Sequence, residues 1–195
     1  QPIRGPQGGQ NIGSGQALSD NFASSRIGTL WRFHRPAANE MARAVYGEGG
    51  LTLQGKGTSF ADCSPLTCVP VDRAYEVTLE AELVDEVEVG LMLYIGPGLY
   101  AGIGHDGTRV KSYNKGGPAR GQTQPTPSRH VWLKVVNDHQ VASMYTSLDN
   151  NNWTRYPLRL DVSGYHKNVA PGGGESLRIG LYAIGTGKAR LRNFT

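Results

Sequence analysis

Residues 87–113, VEVGLMLYIGPGLYAGIGHDGTRVKSY, contain the clearest strand pattern of the chain. Apolar residues occupy every second position of residues 87–95 and again of residues 99–103, which is the period of a half-buried β-strand. Two turn signals interrupt this pattern, GPG at residues 96–98 and DG at residues 106–107. The stretch therefore predicts three consecutive antiparallel strands joined by hairpins.

The two turns also predict how the strands pair. A three-residue loop at 96–98 places Tyr94 opposite Tyr100, and a two-residue turn at 106–107 places Tyr100 opposite Tyr113. The same counts give three further pairs: Ile95 with Leu99, Ile103 with Val110, and His105 with Thr108. Both counts keep the apolar residues on one face of the sheet. The three tyrosines then form a row on the other face, roughly 4.8 Å apart from strand to strand.

The face with the tyrosine row is a candidate binding site for a sugar. Beside Tyr94, Tyr100 and Tyr113 lie the cationic side chains of Arg109 and Lys111. The same face has three glycines that leave bare backbone: Gly90, Gly102 and Gly104. Aromatic rings cover the C–H surfaces of a sugar, and polar groups bind its hydroxyls. The alternative is that the tyrosines only cover the outer sheet face or pack beneath a loop.

Composition indicates an all-β protein with many turns. The chain has 195 residues, with 27 glycines, 11 prolines and 38% hydrophobic residues, which favours short strands over helices. No apolar run approaches the roughly 20 residues of a membrane span, so no membrane partner is predicted. The net charge is +4, but the basic residues are scattered among acidic ones, which argues against a nucleic-acid surface.

The remaining chain adds about seven strands at a spacing of roughly 8–12 residues, which predicts a two-sheet antiparallel β-sandwich of the jelly-roll type. A single barrel is the alternative. Residues 36–45 are the one stretch with helical character. Residues 1–17, QPIRGPQGGQNIGSGQA, are interpreted as a linker or extended segment from a preceding domain, and residues 18–195 as the sandwich.

Three further features have more than one interpretation. Cys63 and Cys68 either close a small disulfide loop or are two free thiols, and zinc binding is disfavoured because no histidine is adjacent. Asp20 and Asn193, near the two ends of the sandwich, are candidate oxygen ligands for a structural calcium ion. Trp132 alternates with apolar neighbours, so it is the tryptophan expected to face a ligand or a neighbouring domain.

The sequence offers no convincing catalytic set. Gly13, Ser14 and Gly15 fall in the glycine-rich linker and do not form a nucleophile elbow. Glu86 and Glu88 share a strand face, as paired glycosidase carboxylates would. Because they follow a predicted turn, a solvated face is favoured over a catalytic pair.

Several stretches together resemble the C-terminal concanavalin A-like sandwich of glycoside hydrolase family 43 β-xylosidases. In chain order they are LSDNF, IGTLW, GGLTLQGKG, DCSPLTCVPVDRAYEV, VGLMLYIGPGLYAGIG, SLDNNNW, SGYHKNV and RLRNF. No single motif is specific, and the resemblance rests on their order and spacing along the whole chain.

The resemblance implies a module without catalysis of its own, because the family's three catalytic carboxylates lie on a propeller that this chain lacks. Such a sandwich is expected to bind xylan or xylo-oligosaccharides and to need no cofactor. It is also expected to pack on the propeller and lend a loop that narrows the active-site pocket. Residues 163–168 match that loop, with Tyr165, His166 and Asn168 as candidate contacts. A structural accessory domain with little sugar affinity is the second hypothesis.

Overall fold

A computed structural model describes residues 18–23, 30–34, 36–114, 117–118, 124–126, 128–165 and 176–195. These residues contain fifteen strands and one short 3-10 helix, Glu40–Arg43. The strands are β1 (Arg32–Phe33), β2 (Ala44–Gly47), β3 (Gly50–Gln54), β4 (Leu66–Cys68), β5 (Tyr75–Leu83), β6 (Glu88–Gly96), β7 (Leu99–His105), β8 (Arg109–Asn114), β9 (Gly117–Pro118), β10 (Gln124–Pro125), β11 (His130–Asn137), β12 (Val141–Ser147), β13 (Thr154–Asp161), β14 (Arg178–Ile184) and β15 (Lys188–Arg192).

The strands form two antiparallel sheets, which confirms the predicted sandwich and excludes a single barrel. The eight-stranded sheet has the order β1-β4-β14-β6-β7-β8-β10, and β9 pairs with β8. The seven-stranded sheet has the order β13-β12-β11-β5-β15-β3-β2. Alternate apolar residues of both sheets meet in one core between them. The helical character of residues 36–45 amounts to a single 3-10 turn, because the chain enters β2 at Ala44.

The register of the first hairpin was predicted in part. Tyr94 pairs with Tyr100 as expected, but Leu99 pairs with Gly96 and not with Ile95. The register shifts between Tyr94 and Gly96, so Ile95 lies in an irregular position of the strand. A β-bulge, which sets two residues of one strand against one of its partner, accounts for this shift.

The register predicted for the second hairpin is wrong by two residues. His105 pairs with Val110, and Tyr113 pairs with Gly102 instead of Tyr100. The turn is longer because the Asp106 carboxylate accepts hydrogen bonds from the backbone N–H groups of Thr108 and Arg109, both at 2.9 Å. Because the error is an even number of residues, every side chain still lies on the predicted face.

Both cysteines are free thiols in the structure, which decides between the two interpretations of Cys63 and Cys68. Each is buried, and burial raises the pKa of both thiols to about 12. Both thiols are therefore protonated and unreactive at neutral pH. Among the described residues, no helix is long and apolar enough to cross a membrane.

His105 makes the sandwich sensitive to acid. Its ring is fully buried, and this desolvation lowers its pKa to about 4, below the ordinary value of 6.5. The folded state therefore favours the neutral ring. Its contribution to stability is complete above about pH 6.5 and is lost as the pH falls toward 4.

We expect the free energy of unfolding to fall by up to roughly 3 kcal/mol between pH 6.5 and 4 because of this residue alone. Urea unfolding at pH 7, 5.5 and 4 measures the decrease. A His105→Gln variant should be less stable at pH 7 but lose much less stability on acidification. An equal loss in the variant and the wild type would show that His105 is not responsible.

Candidate functional site

The structure does not have the open tyrosine face that the sequence predicts. Residues 55–65 cross the outer face of the eight-stranded sheet, and Phe60 lies on the tyrosines. The Phe60 ring centroid is 4.8 Å from that of Tyr100 and 4.0 Å from that of Tyr113. Tyr94 and Tyr100 are only 2% and 3% exposed. Sugar binding by these rings stays a prediction, and it would require the loop to move away.

The glycines of this face make room for protein and not for a ligand. A Cβ atom added at Gly104 would collide with the Tyr182 hydroxyl, and one at Gly90 would lie 2.8 Å from a carbon of the same ring. Tyr182, on β14, is fully buried, and its ring centroid is 4.4 Å from that of Phe60. These aromatic side chains, together with Cys63 and Met92, form a second core outside the sheet.

Arg43 holds the covering loop at both ends. Its guanidinium donates hydrogen bonds to the carbonyl oxygens of Gln54 at 3.1 Å, Ser64 at 3.0 Å and Cys63 at 3.1 Å. Glu40 forms an ion pair with Arg43 and is buried beside it. Burial raises the pKa of Glu40, but the hydrogen bonds from Lys56 and Arg43 outweigh this effect and lower it. The carboxylate is therefore charged and paired.

Within the loop, Asp62 closes a tight turn. Its carboxylate accepts hydrogen bonds from the backbone N–H groups of Ser59 at 2.8 Å and Thr58 at 3.1 Å, and these bonds lower its pKa. Gly57 precedes the turn with φ +72, a conformation that favours glycine. This turn and the Arg43 bonds direct Phe60 inward, so the cover is a built part of the fold.

The cationic donors predicted beside the tyrosines have different surroundings. The Lys111 ammonium is 3.0 Å from a carboxylate oxygen of Glu88 and 2.9 Å from one of Asp106. Burial lowers the pKa of Lys111, but the two carboxylates outweigh this effect and raise it. Arg109 is exposed. The solvated face expected for Glu88 is wrong, because this side chain is buried and also accepts a hydrogen bond from Tyr182 at 3.2 Å.

Tyr165 points into the module. It is buried, and its hydroxyl lies 2.8 Å from the Tyr100 carbonyl oxygen and 2.6 Å from Asn114 Oδ1. In this position the ring packs in the core, and its predicted contact with another domain stays a prediction. His166 and Asn168 lie outside the described residues, as do residues 1–17, so the loop and linker assignments stay predictions.

Asp20 and Asn193 are close in the fold, but each side chain has a protein partner. The backbone of Asp20 pairs with that of Phe194, and its carboxylate accepts the N–H of Phe22 at 2.7 Å. The Asn193 amide donates to Glu80 at 2.6 Å. Calcium takes six to eight oxygen ligands, and the described residues contain no group of three acidic, histidine or cysteine side chains able to hold a metal. A calcium site here stays a prediction.

In the part of the chain that the structure describes, outward side chains of β11 and β12 in the seven-stranded sheet are partly exposed, and Trp132 is one of them, on the predicted face. Trp132 is on β11, opposite Glu80 of β5 and Ser147 of β12, and it is partly exposed. Two residues further along β11, Lys134 lies opposite Tyr145 of β12, which is also partly exposed.

Trp153 lies on this face after a turn that is held by hydrogen bonds to Asp149. The Asp149 carboxylate accepts hydrogen bonds from the backbone N–H groups of Asn152 at 2.8 Å and Asn151 at 2.9 Å, which lower its pKa. The turn leads into β13 so that the Lys134 ammonium lies 4.2 Å from the Trp153 ring centroid. The sequence indicated only a packing role for Trp153.

We call Trp132, Tyr145 and Trp153 the aromatic patch. The sequence did not predict that Tyr145 and Trp153 belong to this face. For Tyr145 a signal was present, because the apolar residues Ala142 and Met144 on β12 indicate that the odd-numbered residues face outward. Three aromatic side chains from three segments on an open sheet face can stack against flat sugar rings.

The acidic side chains on the same face are largely paired. Glu80 is buried and accepts hydrogen bonds from Arg192 at 3.0 Å and Asn193 at 2.6 Å, and its carboxylate is 2.8 Å from His130 Nε2. Lys134 Nζ is 3.0 Å from a carboxylate oxygen of Glu76. These contacts pair the carboxylates of Glu80 and Glu76 with cationic and amide donors of the protein.

A match to a protein-family model shows which family the chain belongs to. The model of the β-xylosidase C-terminal concanavalin A-like domain, GH43_C2, matches residues 19–193, so the chain belongs to this family. A search of curated protein sequences finds no match.

Solved structures show the same fold. A mutant of the GH43 protein BlXynB from Bacillus licheniformis is similar over 97% of this chain and 42% of its own, with 16% identity and a TM-score of 0.79. Xylan beta-1,4-xylosidase from Bacillus halodurans is similar over 98% of this chain and 42% of its own, with 16% identity and a TM-score of 0.75. The carbohydrate-binding module CBM66 from Bacillus subtilis matches over 86% of this chain and 94% of its own, with 11% identity and a TM-score of 0.52. The chain thus spans less than half the length of the first two of these proteins.

Removing Phe60 tests whether the covering loop is part of the folded core. We expect Phe60→Ala to lower the free energy of unfolding by about 3–5 kcal/mol, because the ring is buried against three tyrosines. Urea unfolding measures the loss, and Leu148→Ala, at a largely exposed leucine, is the control that should change little. A cost below about 1 kcal/mol for Phe60→Ala would contradict this packing.

Proposed function

We propose that the chain is a non-catalytic carbohydrate-binding module of a family 43 glycoside hydrolase and that it binds xylan-type chains on the outer face of the seven-stranded sheet. The observation that carries the proposal is the aromatic patch, in which Trp132, Tyr145 and Trp153 share an open face. In the predicted tyrosine row, in contrast, Tyr94 and Tyr100 are buried, and Phe60 packs against Tyr100 and the partly buried Tyr113.

The binding mechanism is stacking with supporting hydrogen bonds. Neighbouring strands are about 4.8 Å apart, so side chains on β11, β12 and the start of β13 can contact successive parts of one extended ligand. Each aromatic contact is worth about 0.5–1.5 kcal/mol in protein cases. Affinity per site is therefore modest, and several modules on one polymer gain by avidity.

Xylan is the favoured ligand because of the family to which the chain belongs and the substrate in the name of one structural neighbour, xylan beta-1,4-xylosidase. The module CBM66 shares the fold and is itself carbohydrate-binding by name. These relations support a sugar ligand, and the aromatic patch is the surface that we propose for it.

The module is proposed to lack hydrolytic activity of its own. A glycosidase needs two carboxyl groups facing a substrate. Here Glu40, Glu80 and Glu88, the buried glutamates, are each held by cationic, amide or hydroxyl donors of the protein. The catalytic step is proposed to belong to a separate domain, since the GH43 neighbours are more than twice as long as the matched region.

A second candidate function is a structural accessory domain that packs on that catalytic domain. One end of the sandwich favours it, because Val69 and Val71 are 52% and 64% exposed. Both valines border a pocket of about 530 Å³ that is lined in part by Tyr75. Val71 also borders a second pocket of about 370 Å³, which is lined in part by Leu18, the residue that follows residues 1–17. This end and the aromatic patch are different surfaces, so the two candidates can be tested separately.

Affinity electrophoresis of the chain in gels with soluble xylan tests the proposed function. We expect xylan to retard the wild type and Trp132→Ala to bind about threefold to tenfold more weakly, in line with the loss of one aromatic contact. The matched control is Val71→Ala, which removes an exposed apolar side chain at the end of the sandwich and should bind normally.

Two results would contradict the proposal. Normal retardation of Trp132→Ala would move any sugar site away from the aromatic patch. No retardation of the wild type by xylan would favour the accessory function. A thermal melt of each variant checks that the fold is intact.

A further inference from the structure

Two arginines lie beside the aromatic patch, and their side chains form no hydrogen bond or ion pair with the described residues. Arg155 and Arg159 are exposed on β13, the edge strand of the seven-stranded sheet. Arg155 pairs across the strands with Tyr145, and Arg159 with Ser143, so both lie on the outer face. Their cross-strand partners are two residues apart, which is roughly 7 Å along a strand.

Three other cations of this face are paired with carboxylates. Lys134 is 3.0 Å from a carboxylate oxygen of Glu76, and Arg192 forms ion pairs with Glu80 at 3.0 Å and Glu82 at 2.7 Å. Arg190 lies 3.8 Å from Glu82. Lys134, Arg190 and Arg192 therefore have carboxylate partners, whereas Arg155 and Arg159 form no ion pair with the described residues.

Nearby carboxylates on the same side do not neutralise this edge by direct contact. Asp138 accepts hydrogen bonds from the backbone N–H groups of Val141 at 2.6 Å and Gln140 at 3.0 Å, and these bonds, more than the charge of Arg159, lower its pKa. Asp161 accepts hydrogen bonds from the backbone and hydroxyl of Ser163. Within the described residues neither aspartate forms an ion pair with Arg155 or Arg159.

We propose, on the basis of the proposed function, that the ligand of this face is an acidic xylan. Arg155 and Arg159 bind the carboxylates of its uronic-acid side chains, and its neutral backbone stacks on the aromatic patch. A guanidinium presents a planar fork of donors that matches a carboxylate with two parallel hydrogen bonds. A sugar ring over Tyr145 would carry a substituent at its edge within reach of Arg155, its cross-strand neighbour.

The arginines have a simpler explanation as well, because charged residues on an edge strand discourage pairing with another sheet. The two explanations differ in what the charges recognise. Protection of an edge predicts a change in self-association when the charges are removed and no change in ligand preference. Carboxylate recognition predicts that removing the charges changes the ligand preference while the protein stays monomeric.

The test compares two forms of one polymer, glucuronoxylan and the same glucuronoxylan with its carboxyl groups reduced to alcohols. Isothermal titration at low salt should show that the wild type binds the acidic form about tenfold more tightly, which corresponds to about 1.4 kcal/mol. The preference should shrink as salt is added, because exposed charges are screened.

The double variant Arg155→Gln/Arg159→Gln should bind both polymers with the affinity that the wild type has for the reduced form. Arg190→Gln, which removes a paired arginine of the same face, is the matched control and should keep the preference. Sedimentation of each protein shows whether it remains monomeric.

Equal binding of both polymers by the wild type would overturn the acidic-ligand inference and leave the proposed function intact. A double variant that keeps the preference, or changes only its self-association, would overturn it as well. Binding of neither polymer would overturn the proposed function, and the inference with it.

Discussion

The packing of Phe60 against the tyrosines is the interaction on which the functional surface of this module depends. Arg43 and Asp62 fix the loop, and Phe60 then covers the outer face of the eight-stranded sheet. A sheet in a sandwich usually has one buried and one solvated face. Here one sheet is covered on both sides over much of its area, so the seven-stranded sheet keeps the larger open face.

This asymmetry explains the different use of aromatic residues on the two sheets. On the eight-stranded sheet, glycines allow Tyr182 to lie close to the backbone, and the aromatic side chains become a second core. On the seven-stranded sheet, Trp132 and Tyr145 stand among polar and charged neighbours and remain partly exposed. Aromatic rings held by packing stabilise the fold, whereas rings on an open, hydrogen-bonded face are available to a ligand.

The sequence allowed the sandwich and the facing of β5, β6, β7, β8 and β11 to be predicted, because alternation is a local signal and an even register error preserves it. It did not reveal the cover over the tyrosines. Phe60 lies in a glycine- and serine-rich loop without periodicity. Two of the glycines that suggested a ligand floor, Gly90 and Gly104, make room for Tyr182, which is far away in the sequence. Of the aromatic patch, the sequence predicted only Trp132. Trp153 reaches the patch through a turn whose direction is set by hydrogen bonds to the Asp149 carboxylate.

The central claim is that the seven-stranded sheet, and not the tyrosine face, contacts the sugar. Hydrogen–deuterium exchange of the chain with and without xylohexaose tests it most directly, because exchange reports protection strand by strand. The account predicts slower exchange in β11, β12 and β13 when the sugar is bound, with β6, β7 and β8 unchanged. Protection confined to β6, β7 and β8 would contradict it and would show that the loop with Phe60 opens to admit the ligand.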